Sequence, residues 1–530
     1  MLSYKTVVSV LMVGILLAGC TTGPDYARPD LDTPTEWNAK RAGGEVDKPV
    51  DVSAWWNALG DPALDALVNR AVIENHDLKL AEARVREARA ARGIAASALW
   101  PSLNASGGWT RSSGPEQDLS SGSGVTFGAN AGATGLSRSI TYRNDNLTLN
   151  RSVSAAGAMN SASYTPGDTT IDPTTNLFQA GFDASWELDI FGGNRRGVEA
   201  ANADIDAAVE SQRDVLVSLL SEVARNYIEL RESQNRLDIT NHNIKSQQDT
   251  VALTRDRFTA GLSSELDAIR AESLLATTMS QVPLLETQVD ASIHRLSVLL
   301  GQEPSALFAE LAASKQLPLA PDAVPVGLPS DLLRRRPDIR RSERELAAST
   351  ARIGEAEADL FPKFYLTGAF AGQDASFGSI FNGPNQLWSI GPSFSWPIFQ
   401  GGRIRANINV QNARQEQAAI SYEQSILLAL EEVENGLVSF AKEQVRRSAL
   451  EDAVRANEQA VALANERYVR GLADFLNVLE SQRSLFLSQD SLVQSQSTVL
   501  TNLVALYKAL GGGWETFSPE VPVVETASAK

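Results

Sequence analysis

The side chains able to hold a metal or run redox chemistry are few here. The 530-residue chain has three histidines, His76, His242 and His294, far apart in sequence, and one cysteine, Cys20. Zinc needs several such ligands at close spacing and a disulfide needs two thiols, so neither a metal centre nor a redox pair is expected. Ser, Asp and Glu are plentiful, but no nucleophile elbow or phosphate-cradling loop contains them, and Gly401-Gly402 reads as a turn. The chain therefore does not read as an enzyme, and no cofactor is expected. With 47 Lys and Arg against 64 Asp and Glu, the formal charge is −17. A nucleic-acid partner would need a basic face, so the balance argues against one and permits a cation-attracting surface or lumen.

Cys20 offers different chemistry. Lys5 precedes an apolar run from Val7 to Leu17, which ends in Leu17-Ala18-Gly19-Cys20. The run is too short to span a bilayer and reads as a signal peptide, residues 1–19. The stretch resembles a bacterial lipobox, which implies a covalent lipid on Cys20 as the mature first residue, and Thr21 after it favours the outer membrane. No later segment offers about 18 uninterrupted apolar residues, so any crossing must be made by strands.

The elements that would do so occur twice. "RDRFTAGLSSELDAIR" at 255 and "NERYVRGLADFLNVLE" at 465 share a basic–aromatic–x–x–Gly–Leu core, 210 positions apart. Trp186 and Trp396, Gly261 and Gly471, and Gly301 and Gly511 keep the same offset, whereas "LWPSL" at 99 and "LFPKF" at 360 stand 261 apart. The first copy thus holds 51 more residues, within the Gly/Ser/Thr/Asn-rich tract between 106 and 176, which reads as a long surface loop. Each copy is expected to be a helix, a β-hairpin and a long helical hairpin.

Residues 198–260 contain neither Gly nor Pro, and 404–470 contain only Gly436. Leu216, Val223, Leu230, Leu237, Ile244, Val251 and Phe258 recur every seventh residue, as do Ile426, Val433, Phe440, Val454, Val461 and Tyr468. That period predicts long, left-handed supercoiled helices rather than rods buried in a globular core. Gly261 and Gly471 are expected at the reversals, and Pro283 at a kink in the first returning helix. Between 178 and 190, Phe178, Ala180, Phe182, Ala184, Trp186, Leu188 and Ile190 alternate with polar residues; Trp388, Ile390, Phe394, Trp396 and Ile398 repeat the pattern. Period two with one apolar face suits a transmembrane strand. Four strands cannot close a barrel, so copies of the chain must supply the rest.

With these patterns, the stretches "LLAGC", "SAWWNALGDPALDALVNRA", "LLRRRPDIRRSERELAASTARIGEAEADLFPKF", "IFQGGR" and "LYKALGGGW" resemble the TolC-like outer-membrane factor family, in its lipidated OprM (NodT) branch. The resemblance implies an α+β membrane protein: a homotrimer whose twelve-stranded outer-membrane barrel, four strands per chain, continues into a periplasmic α-helical barrel. It divides the chain into a lipid-anchored equatorial segment (20–61), repeat 1 (62–301, hairpin about 102–190, tip near 261), an equatorial linker (302–330), repeat 2 (331–511, hairpin about 363–398, tip near 471) and a tail (512–530). It also implies a periplasmic gate. Glu480 aligns with a constricting acidic ring, Leu476 with an apolar ring one turn before it, and Tyr468 and Arg483 with the closing network. Asn477 and Ala473 stand where the TolC latch has Asp and Arg; Asp267 and Arg270 are the first-repeat equivalents of Asn477 and Glu480. Adaptor contacts are expected at Gly261, Leu262 and Ser263 and at Gly471, Leu472 and Ala473.

The implied function is passive export: an outer-membrane exit duct, set in lipid and reaching into the periplasm of a Gram-negative cell. It would serve an inner-membrane transporter of the resistance–nodulation–division (RND) type through a periplasmic adaptor (membrane fusion) protein. A duct for an ATP-driven (ABC) type I protein exporter is the rival reading, and lipidation of Cys20 leans against it. A trimeric adhesin or stalk would need no two-fold repeat. Cargo is not encoded in this chain.

Overall fold

The computed structural model describes residues 21–29, 34, 37, 45–46, 52–113, 125–131, 136–143, 146–153, 159–164, 174–321, 324–325 and 334–517. Cys20, the leader before it and the tail from 518 lie outside the described residues. The helices are α1 (Pro62–Glu74), α2 (His76–Ser97), α3 (Gly193–Thr259), α4 (Glu265–Met279), α5 (Val282–Leu299), α6 (Phe308–Leu311), α7 (Pro337–Ala358), α8 (Arg403–Val469) and α9 (Phe475–Ala509). The strands are β1 (Glu45–Val46), β2 (Ser102–Ser113), β3 (Val125–Ala131), β4 (Leu136–Arg143), β5 (Asn146–Val153), β6 (Met159–Tyr164), β7 (Thr174–Leu188), β8 (Val324–Pro325), β9 (Lys363–Asp374) and β10 (Gln386–Ser395). The chain divides into two compact units. One holds 88–204, 346–417 and the N-terminal segment to Ala27; the other holds 28–87, 205–345 and 418–530.

The two offsets recur in the element boundaries. Helices α3 and α8 are both 67 residues long, about 100 Å at 1.5 Å per residue, and begin 210 positions apart. Strands β2 and β9 are both 12 residues long and begin 261 apart. Helix α8 runs through Gly436 unbroken, and a Cβ there would meet Leu506 at 3.3 Å, so its absence lets α9 come close. The interruption between α4 and α5 falls at Ser280-Gln281, with Pro283 in the first turn of α5, where its missing N–H costs nothing.

In the first unit, β2, β7, β9 and β10 form one antiparallel sheet in the order β10–β9–β7–β2. The register sorts side chains by face across both repeats. Ala105, Phe182, Phe370 and Trp388 stand in one row, and Leu103, Ala184, Gly368 and Ile390 in the next row of the same face. The opposite face carries Asn104, Asp183, Ala369 and Ser389, then Ser102, Ser185, Thr367 and Gly391. Trp388, Ile390 and Leu103 are at least 70% exposed. One continuous apolar face, backed by a polar one, is what strand alternation in lipid requires. Trp396 and Ile398 lie beyond the end of β10.

The tract expected as a surface loop differs. β2 runs on to Ser113, and the insert contains β3 to β6, a four-stranded meander in sequence order. Its Gly/Ser-rich composition hides a backbone pattern that Thr, Val, Ile and Tyr favour in extended pairs.

At the base of the sheet, the segment after Cys20 is strapped down. Arg196, 3% exposed, donates to the Thr22 carbonyl (3.0 Å), Asp25 (2.6 Å) and Glu199 (2.8 Å). The Thr22 amide donates to the Phe191 carbonyl at 3.1 Å. Gly23, at φ +83°, lies so close to Gly354 that a Cβ on it would reach the Gly354 Cα at 2.3 Å.

In the second unit, Leu64, Leu67, Leu220, Val223, Leu230, Ile293 and Leu296 are wholly buried. Trp55 stacks on Tyr507 and Trp56 on Phe517, bringing the N-terminal segment to the C-terminal end. β1 pairs with β8, so the same segment joins the inter-repeat linker. The arginine-rich stretch before α7 is structural. Arg336 forks onto Asp338 (3.0 and 2.7 Å) and also reaches Glu432 (2.7 Å) and the Ala509 carbonyl (2.8 Å). Arg340 and Arg213 share Glu210, at 2.7 Å each, and both lie on the Trp514 ring.

Candidate functional site at the hairpin tips

Helices α3 and α8 end alike. The Gly261 amide donates to the Phe258 carbonyl and the Leu262 amide to Arg257 (2.9 and 2.8 Å); Gly471 to Tyr468 and Leu472 to Arg467 have the same lengths. This pair of bonds satisfies the last carbonyls of a helix when the residue after it is left-handed, and φ is +69° at Gly261 and +71° at Gly471. Among the described residues no heavy atom beyond the adjoining chain lies within 4 Å of a Cβ built on either glycine, so the backbone conformation is what favours glycine there. Ser264 then caps α4 by accepting from the Leu266 amide at 3.2 Å. The tips present Leu262 (66% exposed) and Leu472 (64%) outward, beside half-buried Ser263 and Ala473.

Beyond the second tip, Leu476, Glu480 and Arg483 are exposed at helical spacing, i, i+4 and i+7, and therefore share one stripe of α9, with exposed Asn477 beside it. In the first repeat Arg270 is exposed and Asp267 half-buried. The structure thus brings Leu476, Glu480 and Arg483 together, but it parts them from Tyr468. That ring is 4% exposed and packs with Ala271, Phe475 and Val478 in a small core, flanked by Val251, Leu253, Ala464 and Leu479. The core joins the two hairpins of one chain, since Val251, Leu253 and Ala271 belong to repeat 1 and the others to repeat 2.

The sequence reading missed Arg257. Its guanidinium lies 4.7 Å from the Tyr468 ring centroid, and its terminal nitrogen donates to the Val469 carbonyl at 3.2 Å. The signal was present in the basic–aromatic pair that opens each tip phrase, but its partner is 211 positions away. Two further links between the repeats were also missed: Arg236 with Asp490 at 2.6 Å, and Gln482 donating to the Thr250 hydroxyl at 2.8 Å.

Among the described residues no group of His, Cys, Asp and Glu is placed to hold a metal ion, and no helix is long and apolar enough to cross a membrane. A cavity of about 310 Å³ lies at the base of the sheet, lined by Glu187, Asp189, Glu355, Lys363 and Arg414 among others. Lys363 there pairs with Asp359 at 2.9 Å, and burial pushes the Glu355 carboxyl up.

Known proteins share this arrangement over nearly the full length. The chain is 31% identical over 500 residues to nodulation protein T of Rhizobium leguminosarum bv. trifolii, covering 94% of this chain and 96% of that protein. It is 32% identical over 508 residues to the solvent efflux pump outer membrane protein SrpC of Pseudomonas putida, covering 94% and 97%. The solved outer-membrane channel OprN superposes with a TM-score of 0.78 at 33% identity, over 94% of this chain and 100% of that one. The family profile described as "Outer membrane efflux protein" matches residues 67–302 and 328–512, one segment for each repeat. The duplicated helical hairpins and the four-stranded sheet therefore belong to a member of the outer membrane efflux protein family.

Proposed function

We propose that three copies of this chain close a twelve-stranded barrel in the outer membrane and form the exit duct of a tripartite efflux pump. The observation that carries this reading is the four-stranded sheet of β10, β9, β7 and β2, apolar on one face and polar on the other, with β2 and β10 as edges. An open edge in hydrocarbon leaves N–H and C=O groups unsatisfied at several kcal/mol each, and pairing with the next copy removes that cost. Twelve strands leave room for a water-filled bore lined by the polar face.

In this reading a lipid on Cys20 anchors the chain, and the strapped Thr21–Asp25 segment holds that anchor at the base of the sheet. Leu476, Asn477, Glu480 and Arg483, with Asp267 and Arg270, form the periplasmic gate. Three symmetry-related Glu480 carboxylates repel one another, so the closed ring needs cations or Arg483 nearby. Gly261–Ser263 and Gly471–Ala473 receive a periplasmic adaptor, which links the duct to an RND-type transporter. The cargo is small molecules such as drugs or toxic compounds, selected by the inner-membrane transporter; the similar Pseudomonas putida protein is named for a solvent pump.

The test is accumulation of a fluorescent dye and an aromatic solvent in cells lacking the chain. Complementation by the wild type should lower accumulation, and complementation by Gly471→Trp should not. Equal accumulation in all strains would count against efflux.

A further inference from the structure

We propose that Arg257 is the positioning residue that holds the repeat-1 tip against the repeat-2 tip within one chain, and that it grips the face of the Tyr468 ring rather than its hydroxyl. The inference rests on the exit-duct reading for its consequence, which is control of opening. Its geometry stands independently.

Four observations carry it. The Arg257 guanidinium lies over the Tyr468 ring, 4.7 Å from the centroid, where the negative face of the π system attracts a cation. The same group donates at 3.2 Å to the Val469 carbonyl, one of the last carbonyls of α8, where the helix dipole favours positive charge. Among the described residues the buried Tyr468 hydroxyl has no hydrogen-bond partner, so it contributes no bond to the contact. The ion pairs nearest the tips among the described residues, Arg255 with Glu272 at 2.8 Å and Arg470 with Glu466, each stay within one hairpin. The contact between the tips is therefore cation on ring, above the shared core of Ala271, Phe475 and Val478.

A latch of this kind separates two substitutions that a hydroxyl or carboxylate latch would not. Tyr468→Phe keeps the ring and removes an unpartnered hydroxyl, so the tips should stay together. Arg257→Ala removes both the cation and the bond to Val469 and should release them. Arg257→Lys keeps the charge and one donor without the flat guanidinium, and should hold partially.

The experiment is pulsed EPR on the full-length chain, with nitroxides attached through p-acetylphenylalanine at positions 263 and 473. Labelled chains are diluted into unlabelled ones, so that each distance belongs to a single chain. The wild type and Tyr468→Phe should give the same narrow distribution. Arg257→Ala and Tyr468→Leu should broaden it and lengthen it by about 5 Å or more, roughly one helical turn. An unchanged distribution in Arg257→Ala would overturn the proposal, as would a shift in Tyr468→Phe as large as that in Tyr468→Leu; circular dichroism on each variant checks that the helices persist. Planar-bilayer conductance on the same variants should rise several-fold in Arg257→Ala alone of the Arg257→Ala and Tyr468→Phe pair. Distances that respond while conductance does not would uphold the latch and count against the duct's gate.

Discussion

Trp186 and Trp396 stand 210 residues apart, and each donates its indole N–H to a backbone carbonyl at 3.0 Å, Leu99 in the first repeat and Leu360 in the second. The acceptors are 261 apart. One hydrogen bond has thus been kept in both repeats despite the 51-residue insert between its donor and acceptor in the first. Replacing either indole by Phe removes one hydrogen bond, from a half-buried ring at Trp186 and from an exposed one at Trp396. Trp186→Phe and Trp396→Phe should each cost about 1 kcal/mol. The double variant should be additive within about 0.5 kcal/mol, measured by urea denaturation in detergent.

Arg196 sets the position of the segment after Cys20. Arg196→Ala removes its charge-assisted bonds to Thr22 and Asp25, and the loss should be about 2 kcal/mol locally. Hydrogen exchange at the Thr22 amide, bound to Phe191, should then quicken roughly 30-fold. Gly354→Ala should act similarly by another route, because its Cβ would stand 2.6 Å from the Thr22 carbonyl oxygen.

Arg336 is buried against Asp338. Burial pushes the Asp338 carboxyl up, but the hydrogen bonds and charge of Arg336, with the Ile339 amide, outweigh it and hold the group below its ordinary 3.8. A depressed carboxyl contributes stability above pH 3.8, and that contribution is lost as the pH falls through the lower folded value. Arg336→Ala leaves the half-buried Asp338 without its partner and should cost about 3 kcal/mol near neutral pH. The gap between variant and wild type should narrow below pH 4, as thermal denaturation from pH 3 to 7 would read.

Tyr227 donates its phenolic proton to Asp61, the residue that caps α1. Burial first, and the Asp61 bond second, push the phenol up to about 12 from its ordinary 10.0. Because the folded value is the higher, the contribution is complete below pH 10.0 and is lost as the pH rises toward about 12. Tyr227→Phe should cost about 1–2 kcal/mol at neutral pH. It should also flatten the stability loss between pH 10 and 12 in a denaturant titration.

Much of the fold was legible because its signals are local. Gly261 and Gly471 marked the reversals through a backbone angle that a side chain opposes. The seventh-residue stripe of the second repeat is buried at Ile426, Val433, Phe440, Val454 and Tyr468. In the first repeat the same stripe emerges toward the tip, where Phe258 is 42% exposed; seven-residue spacing states which side chains share a face, and packing decides what covers it. The strand meander between Val125 and Tyr164 was not legible, since its pairing satisfies backbone groups that composition does not report.

The sequence by itself determined the duplication and its offsets of 210 and 261, because the two copies can be laid one on the other, and it determined the long helices and the polar–apolar alternation of the strands, because those depend on residues within a few turns of one another. Only the tertiary structure decided which partners meet. It aligned Phe182 of one repeat with Phe370 of the other in a single apolar row, and it buried Tyr468 beneath Arg257 rather than in the exposed stripe of Glu480. Those contacts join positions hundreds of residues apart, where periodicity carries no information and the fit of packed surfaces selects the neighbour.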